Sequence, residues 1–188
     1  DDEVDTSNLQ RQIAHRRATV GTNKAESAAV AVQAINPTTR VRALQHRLSE
    51  TALQAEVARA DLVIDATDNA SSRYLLNGLC WQQRTPLVSG AAVRWEGQVT
   101  VFDARRESPC YQCLYPDTET VNAENCAENG VISPLVGVIG SMQALEAIKC
   151  LTGVGDSLVG TLLFFDAKYA QWQRMTLSKN PTCPICVG

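Results

Sequence analysis

The stretch Asp61-Leu-Val-Ile-Asp-Ala66 decides the predicted fold of this chain of 188 residues. It is a short apolar run between polar residues, and such a run is typical of a strand buried on both faces of a parallel sheet. Helices are predicted on either side of it, over residues 49–58 and 69–83, and a further buried strand over residues 86–92. This alternation predicts a doubly wound α/β sheet with residues 61–66 at its centre.

Further elements are predicted before and after this α/β core. An Ala-rich helix is predicted over residues 23–35, because Asn23 and Glu26 have a capping-box-like spacing. Residues 134–151 are apolar nearly all round and predict a central buried helix. The predicted fold class is α/β, with a mixed sheet and flanking helices. Four segments outside the core have the alternating or continuous apolar character of strands, and the last three predict antiparallel additions to the sheet: residues 39–45, 95–102, 161–166 and 170–177.

Length and charge limit the class of protein. A chain of this size fits one domain with a continuous core. The net charge of −3 and the pI of about 5.4 give no bulk attraction to nucleic acid or to an anionic membrane, so neither partner is predicted. The most apolar stretch, residues 131–151, is interrupted by Gln143 and Glu146 and predicts no membrane span. Seven cysteines do not make a disulfide framework, which favours a reducing, cytoplasmic setting.

Two C-x-x-C pairs carry the strongest chemical signal, Cys110 with Cys113 and Cys183 with Cys186. Each pair places two thiolates on one tight turn, and two such turns supply the four soft ligands of a tetrahedral zinc site. Because four protein ligands leave no position for water, we expect the zinc to be structural and to hold the C-terminus against the body of the protein. The alternative is a redox-active dithiol, or thiols unrelated to one another.

A second signal is Asp65-Ala-Thr-Asp68-Asn69, at the carboxyl end of the predicted central strand, where open α/β sheets bind their ligands. Mg²⁺ takes one or two protein carboxylates and completes its shell with water and phosphate oxygens, so Asp68 is a candidate magnesium ligand. The alternative, equally favoured by the motif, is that Asp68 or Asn69 does no more than cap the following helix.

A third signal is Ser7-Asn-Leu-Gln-Arg11-Gln, followed by Lys24. An arginine, a lysine and amide side chains near a helix start can hold a polyphosphate and neutralise the charge that develops in phosphoryl or nucleotidyl transfer. Two basic residues alone are more often part of a solvated surface. It is the occurrence of all three signals in one chain that favours a nucleotide site.

Cys126 lies outside both cysteine pairs, in a long polar segment over residues 115–130. A cysteine in such a segment can act as an acceptor or as a sulfur-relay nucleophile. Glu124 and Glu128 disfavour its thiolate, so an unreactive thiol is the alternative.

Taken together, the motifs resemble the MoeB/ThiF group, the family of ubiquitin-activating-like adenylyltransferases that serve molybdopterin synthase and thiamine biosynthesis. The resemblance implies a Rossmann-like fold, usually in a homodimer with structural zinc. It also implies an enzyme that uses ATP to adenylate the C-terminal glycine of a small β-grasp sulfur-carrier protein. It spans essentially the whole chain and rests on these stretches: Ser7 to Gln12, Lys24, Thr67-Asp68-Asn69 with Arg73, Ser89-Gly-Ala-Ala-Val with Glu96-Gly-Gln98, the two cysteine pairs, and Gly137 to Lys149.

The resemblance also implies roles for individual residues. Arg11 and Lys24 would reach the ATP phosphates, Asp68 would hold Mg²⁺, and Cys126 matches the position used for covalent sulfur-carrier chemistry. Eight residues would surround the nucleotide: Ser7, Asn8, Leu9, Gln10, Arg11, Lys24, Asp68 and Asn69. The four paired cysteines would bind zinc: Cys110, Cys113, Cys183 and Cys186.

The chain departs from the family pattern at its start. The family begins with a strand, a Gly-rich G-x-G-x-x-G turn and a strand that ends in an acidic residue, and this chain begins after those elements. We therefore expect residues 1–188 to be a single, N-terminally truncated adenylyltransferase domain from which the Gly-rich strand-turn-helix is missing.

The resemblance fits both the molybdopterin and the thiamine branch of the family, and it leaves open a protein of another class, which is not an enzyme. Residues 89–98 favour the molybdopterin branch, whereas Tyr115-Pro-Asp and Asp166-Ala-Lys are more typical of the thiamine branch. A sulfur donor is expected to be a separate protein. The alternative from another class is a non-catalytic, zinc-stapled module that binds a carrier protein without activating it.

Overall fold

The computed structural model describes residues 1–116 and 130–187. The chain forms two compact units, Asp1–Ala52 and Leu53–Gly188, and the boundary between them falls within helix α2 (Glu50–Arg59). The prediction of a single domain stays a prediction.

The first unit contains two short 3₁₀ turns, Thr6–Asn8 and Arg17–Thr19, and helix α1 (Lys24–Ile35). Helix α1 begins where the sequence predicts, because the Asn23 side chain accepts hydrogen bonds from two backbone N–H groups of the first turn. Val4 is the buried centre of this unit, with 2% of its surface exposed, and its backbone pairs with the residues just before α1.

The prediction of a strand over residues 39–45 is wrong. This segment is irregular and largely exposed, and its Gln45 carbonyl accepts a hydrogen bond from the Asn23 side chain at 3.1 Å. Apolar alternation specifies a strand only when a second strand bonds to the backbone. Within the described part of the first unit, no strand lies beside it.

The second unit is built around a five-stranded sheet in the order β1-β2-β3-β4-β5. The first pair, β1 (Val63–Asp65) and β2 (Leu87–Val93), is parallel, and every later pair is antiparallel, so the sheet is mixed as predicted. The other elements also follow the predicted segments closely: β3 (Glu96–Phe102), β4 (Thr161–Asp166), β5 (Gln171–Thr176), α3 (Ala70–Gln83) and α5 (Ser133–Thr152). The short helix α4 (Tyr111–Leu114), directly after Cys110, was not predicted.

Strand β1 lies at an edge of this sheet, so the prediction of a central strand buried on both faces is wrong. Ile64, in the middle of β1, has 48% of its surface exposed, whereas Asp65 has 1%. A short apolar run does not reveal whether strands flank it on one side or on two. The carboxyl end of β1 still leads directly into α3, as expected.

Helix α5 packs against β2 and β3 and closes the main core. Its inward side places Leu135 and Ile139 against the buried valines of the sheet. Its outward side is exposed at Leu145, Ile148 and Leu151, so the helix predicted to be buried all round is buried on one side only within this chain. By length and composition alone α5 could span a membrane; in this structure one side of it packs against β2 and β3.

Two glycines of the β2–β3 hairpin allow α5 to approach the sheet. A Cβ atom on Gly97 would lie 2.6 Å from Ile139, and one on Gly90 would lie 2.2 Å from Cδ of Gln143. Gln143 is 4% exposed, and its Nε2 donates a hydrogen bond to the Asp65 carbonyl at 2.7 Å. Helix α5 thereby fixes the carboxyl end of β1, where the sequence predicts a ligand site.

Candidate functional site

The four paired cysteines converge on one point, as predicted. Their sulfur atoms all lie within 4.8 Å of one another. The Sγ atoms of Cys110 and Cys183 are 3.6 Å apart, and those of Cys113 and Cys186 are 3.3 Å apart. Four thiolates bound to zinc at about 2.3 Å would have their sulfur atoms about 3.8 Å apart in a tetrahedron. The cluster therefore fits a closed tetrahedral zinc site.

Two local turns build this cluster, which we call the cysteine knuckle (Cys110, Cys113, Cys183 and Cys186). Cys110 precedes α4 and accepts a backbone hydrogen bond from Cys113 at 3.0 Å. Burial opposes ionisation of Cys183, but the backbone N–H groups of Cys186 and Ile185 outweigh it and lower the pKa of Cys183 to about 7. Because metals bind the thiolate, these two N–H groups favour the ligand form of Cys183, whereas burial raises the pKa of Cys110 to about 11 and also raises that of Cys186.

A tight loop joins β1 to α3 and carries Asp68. Asp65 Oδ1 accepts hydrogen bonds from the backbone N–H and the hydroxyl of Thr67, at 2.9 and 2.7 Å. Arg73 Nη2 donates to the Thr67 carbonyl at 2.7 Å. Both backbone polar groups of Thr67 are held, and this fixes the residue immediately before Asp68.

Asn69, and not Asp68, caps α3. Its Oδ1 accepts hydrogen bonds from the Ser72 backbone and the Ser71 hydroxyl, each at 2.9 Å. Asp68 is exposed, with its Oδ1 3.5 Å from the Asn69 amide nitrogen. An exposed carboxylate at the carboxyl end of a parallel strand is well placed for a divalent cation, and the N-terminus of a long helix beside it favours an anion.

The two basic candidates, Arg11 and Lys24, both lie in the first unit. Arg11 Nη1 donates a hydrogen bond to the Ser7 carbonyl at 3.2 Å. Lys24, the first residue of α1, pairs through Nζ with the carboxylate of Asp2, whose side chain is 71% exposed. An exposed ion pair contributes little stability, so a polyphosphate could replace Asp2 at Lys24.

Asn8 supports the turn that carries Arg11. It is 7% exposed, and its Oδ1 accepts a hydrogen bond from the Asp5 backbone at 3.0 Å, while Asp5 accepts one from the Ser7 backbone at 2.7 Å. This reciprocal arrangement is a capping box, and it was not predicted. The other two candidates of the segment follow on the same turn: Leu9 is half-buried and Gln10 is exposed.

Some residues of interest were not predicted, and one candidate stays untested. Asp65 anchors the loop, and the spacing Asp-x-Thr, typical of an Asx turn, could have identified it. The contact between Arg73 and the Thr67 carbonyl has no counterpart in local sequence. Cys126 lies outside the described residues, so its predicted role stays a prediction.

A mixed sheet with flanking helices and a cysteine knuckle that could hold zinc define a Rossmann-like α/β protein, with a polar loop after its parallel strand. Residues 1–185 match the ThiF family, and the chain belongs to this family. The predicted resemblance to the MoeB/ThiF group is confirmed.

Curated relatives and solved structures agree with this assignment. The chain is 47% identical over 185 residues to a molybdopterin-synthase adenylyltransferase of Salmonella typhimurium, covering 98% of this chain and 74% of that protein. It is 42% identical over 188 residues to the sulfur carrier protein ThiS adenylyltransferase of Escherichia coli, again covering 74% of the relative. The fold resembles a crystal structure of E. coli MccB with MccA-N7isoASN, with a TM-score of 0.82 at 17% identity over 98% of this chain and 58% of that one.

Proposed function

We propose that this chain uses ATP to adenylate the C-terminal glycine of a small, ubiquitin-like sulfur-carrier protein, in molybdopterin biosynthesis. The observation that carries the proposal is the 47% identity to a protein named molybdopterin-synthase adenylyltransferase, over 98% of the chain. The 42% identity to a relative named for the thiamine carrier makes the thiamine branch the second candidate.

The reaction needs alignment and charge compensation more than proton transfer. The terminal carboxylate of a carrier is already ionised at neutral pH, so its attack on the α-phosphate needs no general base. The main demand is to orient the carboxylate and to offset the charge that builds on the departing pyrophosphate. Mg²⁺, when bound at Asp68, would offset part of the phosphate charge.

Arg11 and Lys24 would supply the remaining positive charge. Arg11 presents a planar fork that suits phosphate oxygens, and Lys24 is a compact point charge whose present partner, Asp2, is exposed. The Oδ1 atoms of Asn8 and Asn69 already accept hydrogen bonds within the chain. Their Nδ2 groups would be the donors to the phosphate or ribose oxygens of a nucleotide.

The cysteine knuckle would serve as a structural zinc site in this enzyme. Its four sulfur atoms would fill a tetrahedral shell, which leaves no open position for substrate. Its role would be to join the segment after β3 to the C-terminal turn, and so to hold the end of the chain in place.

The partners that we propose follow from this reaction. They are an ATP molecule, a β-grasp sulfur carrier and a separate sulfur-donor protein, with the enzyme as a homodimer in the cytoplasm. After adenylation, the Cys126 thiolate would attack the acyl carbon of the carrier's adenylate and displace AMP, which leaves a thioester between Cys126 and the carrier. The alternative from another class of protein is a non-catalytic module that binds a carrier protein without activating it.

Pyrophosphate exchange tests the proposal directly. With ATP, labelled pyrophosphate and a molybdopterin-type carrier, the protein should return label to ATP, and Asp68→Ala should abolish the exchange while the protein remains folded. Asp61→Ala is the matched control, because Asp61 is an exposed aspartate just before the same strand. Exchange with a thiamine-type carrier alone would favour the second branch. Binding of a carrier without exchange would favour the non-catalytic module, and full exchange in Asp68→Ala would remove Asp68 from the site.

A further inference from the structure

Arg11 lies in a run of turns of the first unit, which we call the Arg11 turn (residues 8–15). The Asn8 carbonyl accepts hydrogen bonds from the backbone N–H groups of Arg11 and Gln12, at 3.0 and 2.9 Å. The Gln12 carbonyl accepts one from the backbone of His15 at 3.0 Å. Because these bonds connect Arg11 to both ends of the run, its position depends on how each end is held.

The start of the Arg11 turn is held by backbone pairing just before it. The N–H of the buried Val4 donates to the Thr22 carbonyl, and the Val4 carbonyl accepts from the N–H of Gly21, both at 2.9 Å. Residues 21–23 lead directly into α1, whose first residue is Lys24. The start of the turn is therefore fixed against the beginning of the helix that carries Lys24.

The end of the Arg11 turn is held by a side chain. His15 Nδ1 lies 2.9 Å from Oγ of Ser27, which belongs to the first turn of α1 and is 3% exposed. A buried hydroxyl without a partner is costly, so this contact satisfies a polar group that water does not reach. The side chain of His15 therefore joins the end of the turn to α1.

The hydroxyl protons determine the direction of this bond. Thr19 Oγ1 donates to the Arg16 carbonyl at 3.0 Å, so it can only accept from Ser27 Oγ, which lies 3.0 Å away. A hydroxyl has one proton, and that of Ser27 is used in this contact. His15 therefore donates from Nδ1 to Ser27 Oγ, and the imidazole is attached to α1 in one tautomer.

We propose that His15 is a positioning residue, which holds the Arg11 turn against α1 so that Arg11 and Lys24 can contact one polyphosphate together. Ser27 follows Lys24 by three positions, so the two lie on the same face of α1. Two cations offset the charge of one departing pyrophosphate only when both are aligned with it. The consequence for a polyphosphate rests on the proposed function, whereas the attachment of the turn does not.

His15→Ala tests the attachment in the full chain without nucleotide. It removes the donor to Ser27, so amide hydrogen exchange observed by NMR should become faster at Arg11 and Gln12. The expected factor is about three to ten, the size that corresponds to loss of one neutral hydrogen bond. His15→Asn should return both amides close to the wild-type rate, because the Asn side chain can place an N–H donor near the position of Nδ1.

Thr22→Val is the matched control, because it removes another hydroxyl of the same unit. The Thr22 hydroxyl donates to the Thr19 carbonyl at 2.7 Å and does not join the Arg11 turn to α1. Both amides should exchange at the wild-type rate in this variant. If His15→Ala does not fold, Ser27→Ala replaces it in the test, because it removes the acceptor of the same hydrogen bond.

Pyrophosphate exchange tests the consequence for ATP. In His15→Ala, the ATP concentration for half-maximal rate should rise at least about threefold, because ATP binding then has to order the turn. The maximal rate should change less, since the turn is ordered once ATP is bound. Adding Ser27→Ala to His15→Ala should raise the ATP concentration no further, because both changes remove the same bond.

The outcomes separate the two proposals. Wild-type amide exchange at Arg11 and Gln12 in a folded His15→Ala protein would overturn the attachment, as would equal acceleration in Thr22→Val. Faster amide exchange with an unchanged ATP concentration would overturn the positioning role. A wild-type chain with its intact partners that shows no pyrophosphate exchange would overturn the proposed function instead, and the amide measurement would still decide whether His15 holds the turn.

Discussion

Replacing Gly90 by alanine tests how closely α5 is fitted to the sheet. The new Cβ atom would lie 2.2 Å from Cδ and 2.5 Å from Oε1 of Gln143, so that side chain has to move. Its movement breaks the 2.7 Å hydrogen bond to the Asp65 carbonyl and leaves a buried acceptor unsatisfied, at a cost of about 1–3 kcal/mol. Crowding from the inserted methyl group adds about 1–3 kcal/mol. We therefore expect the free energy of unfolding to fall by roughly 2–6 kcal/mol.

Urea unfolding followed by circular dichroism measures this difference, with Gly137→Ala as the matched control. Gly137 lies in α5, and an added Cβ there meets no atom within 4 Å, so its replacement should raise stability by up to about 1 kcal/mol. The double variant Gly90→Ala/Gln143→Ala should cost less than the sum of its parts, because the clash disappears with the glutamine. A loss below about 1 kcal/mol in Gly90→Ala would show that the reasoning about this close approach is wrong.

Three further variants test the metal site, the thiol and the acid dependence of stability. Elemental analysis of the wild type should give one zinc atom per chain, and Cys186→Ser should release it; a wild-type protein purified under reducing conditions without metal would contradict the zinc site. Cys126→Ala should keep carrier-dependent pyrophosphate exchange near the wild-type rate, because no step of acyl-phosphate formation uses a thiol, and should lose any carrier adduct that survives denaturation without reductant. Burial raises the pKa of Asp103, but hydrogen bonds from Arg105 outweigh burial and hold that pKa below its usual value. The ionised Asp103 therefore adds to the free energy of unfolding above the pKa of an aspartate in the unfolded chain, which is about 4. This contribution is lost as the pH falls through the lower pKa that Asp103 has in the folded protein. Asp103→Asn should therefore destabilise the protein at pH 7 and converge with the wild type in acid, and a difference that stays constant with pH would contradict this.

Features that depend on neighbouring residues in the chain were predictable from the sequence. Asn23 caps α1 from the predicted position, and one of the two residues proposed as a cap for α3, Asn69, is the cap. The cysteine pairs belong to the same class, because each C-x-x-C turn is local and only the meeting of the two turns is not. The chemistry of short segments is therefore well specified by their residue types.

Features that depend on distant parts of the chain were not predictable. Residues 61–66 have the composition of a central strand, yet β1 is at an edge. The composition of a strand does not show whether other strands lie on one side of it or on both. The contact of Arg73 with the Thr67 carbonyl joins two positions whose spacing carries no pattern of its own.

The sheet contains two hairpins, and they have a consequence for the rate of folding. Strands β2 and β3 are joined by the two residues Arg94 and Trp95, and β4 and β5 by a short turn, so these pairs close small loops. The β3–β4 pair, in which Val99 faces Leu163, closes a much larger one and loses more chain entropy. We expect the two hairpins to form first and their joining to limit the rate, so that a variant that weakens only the β3–β4 seam slows folding more than one that weakens either turn.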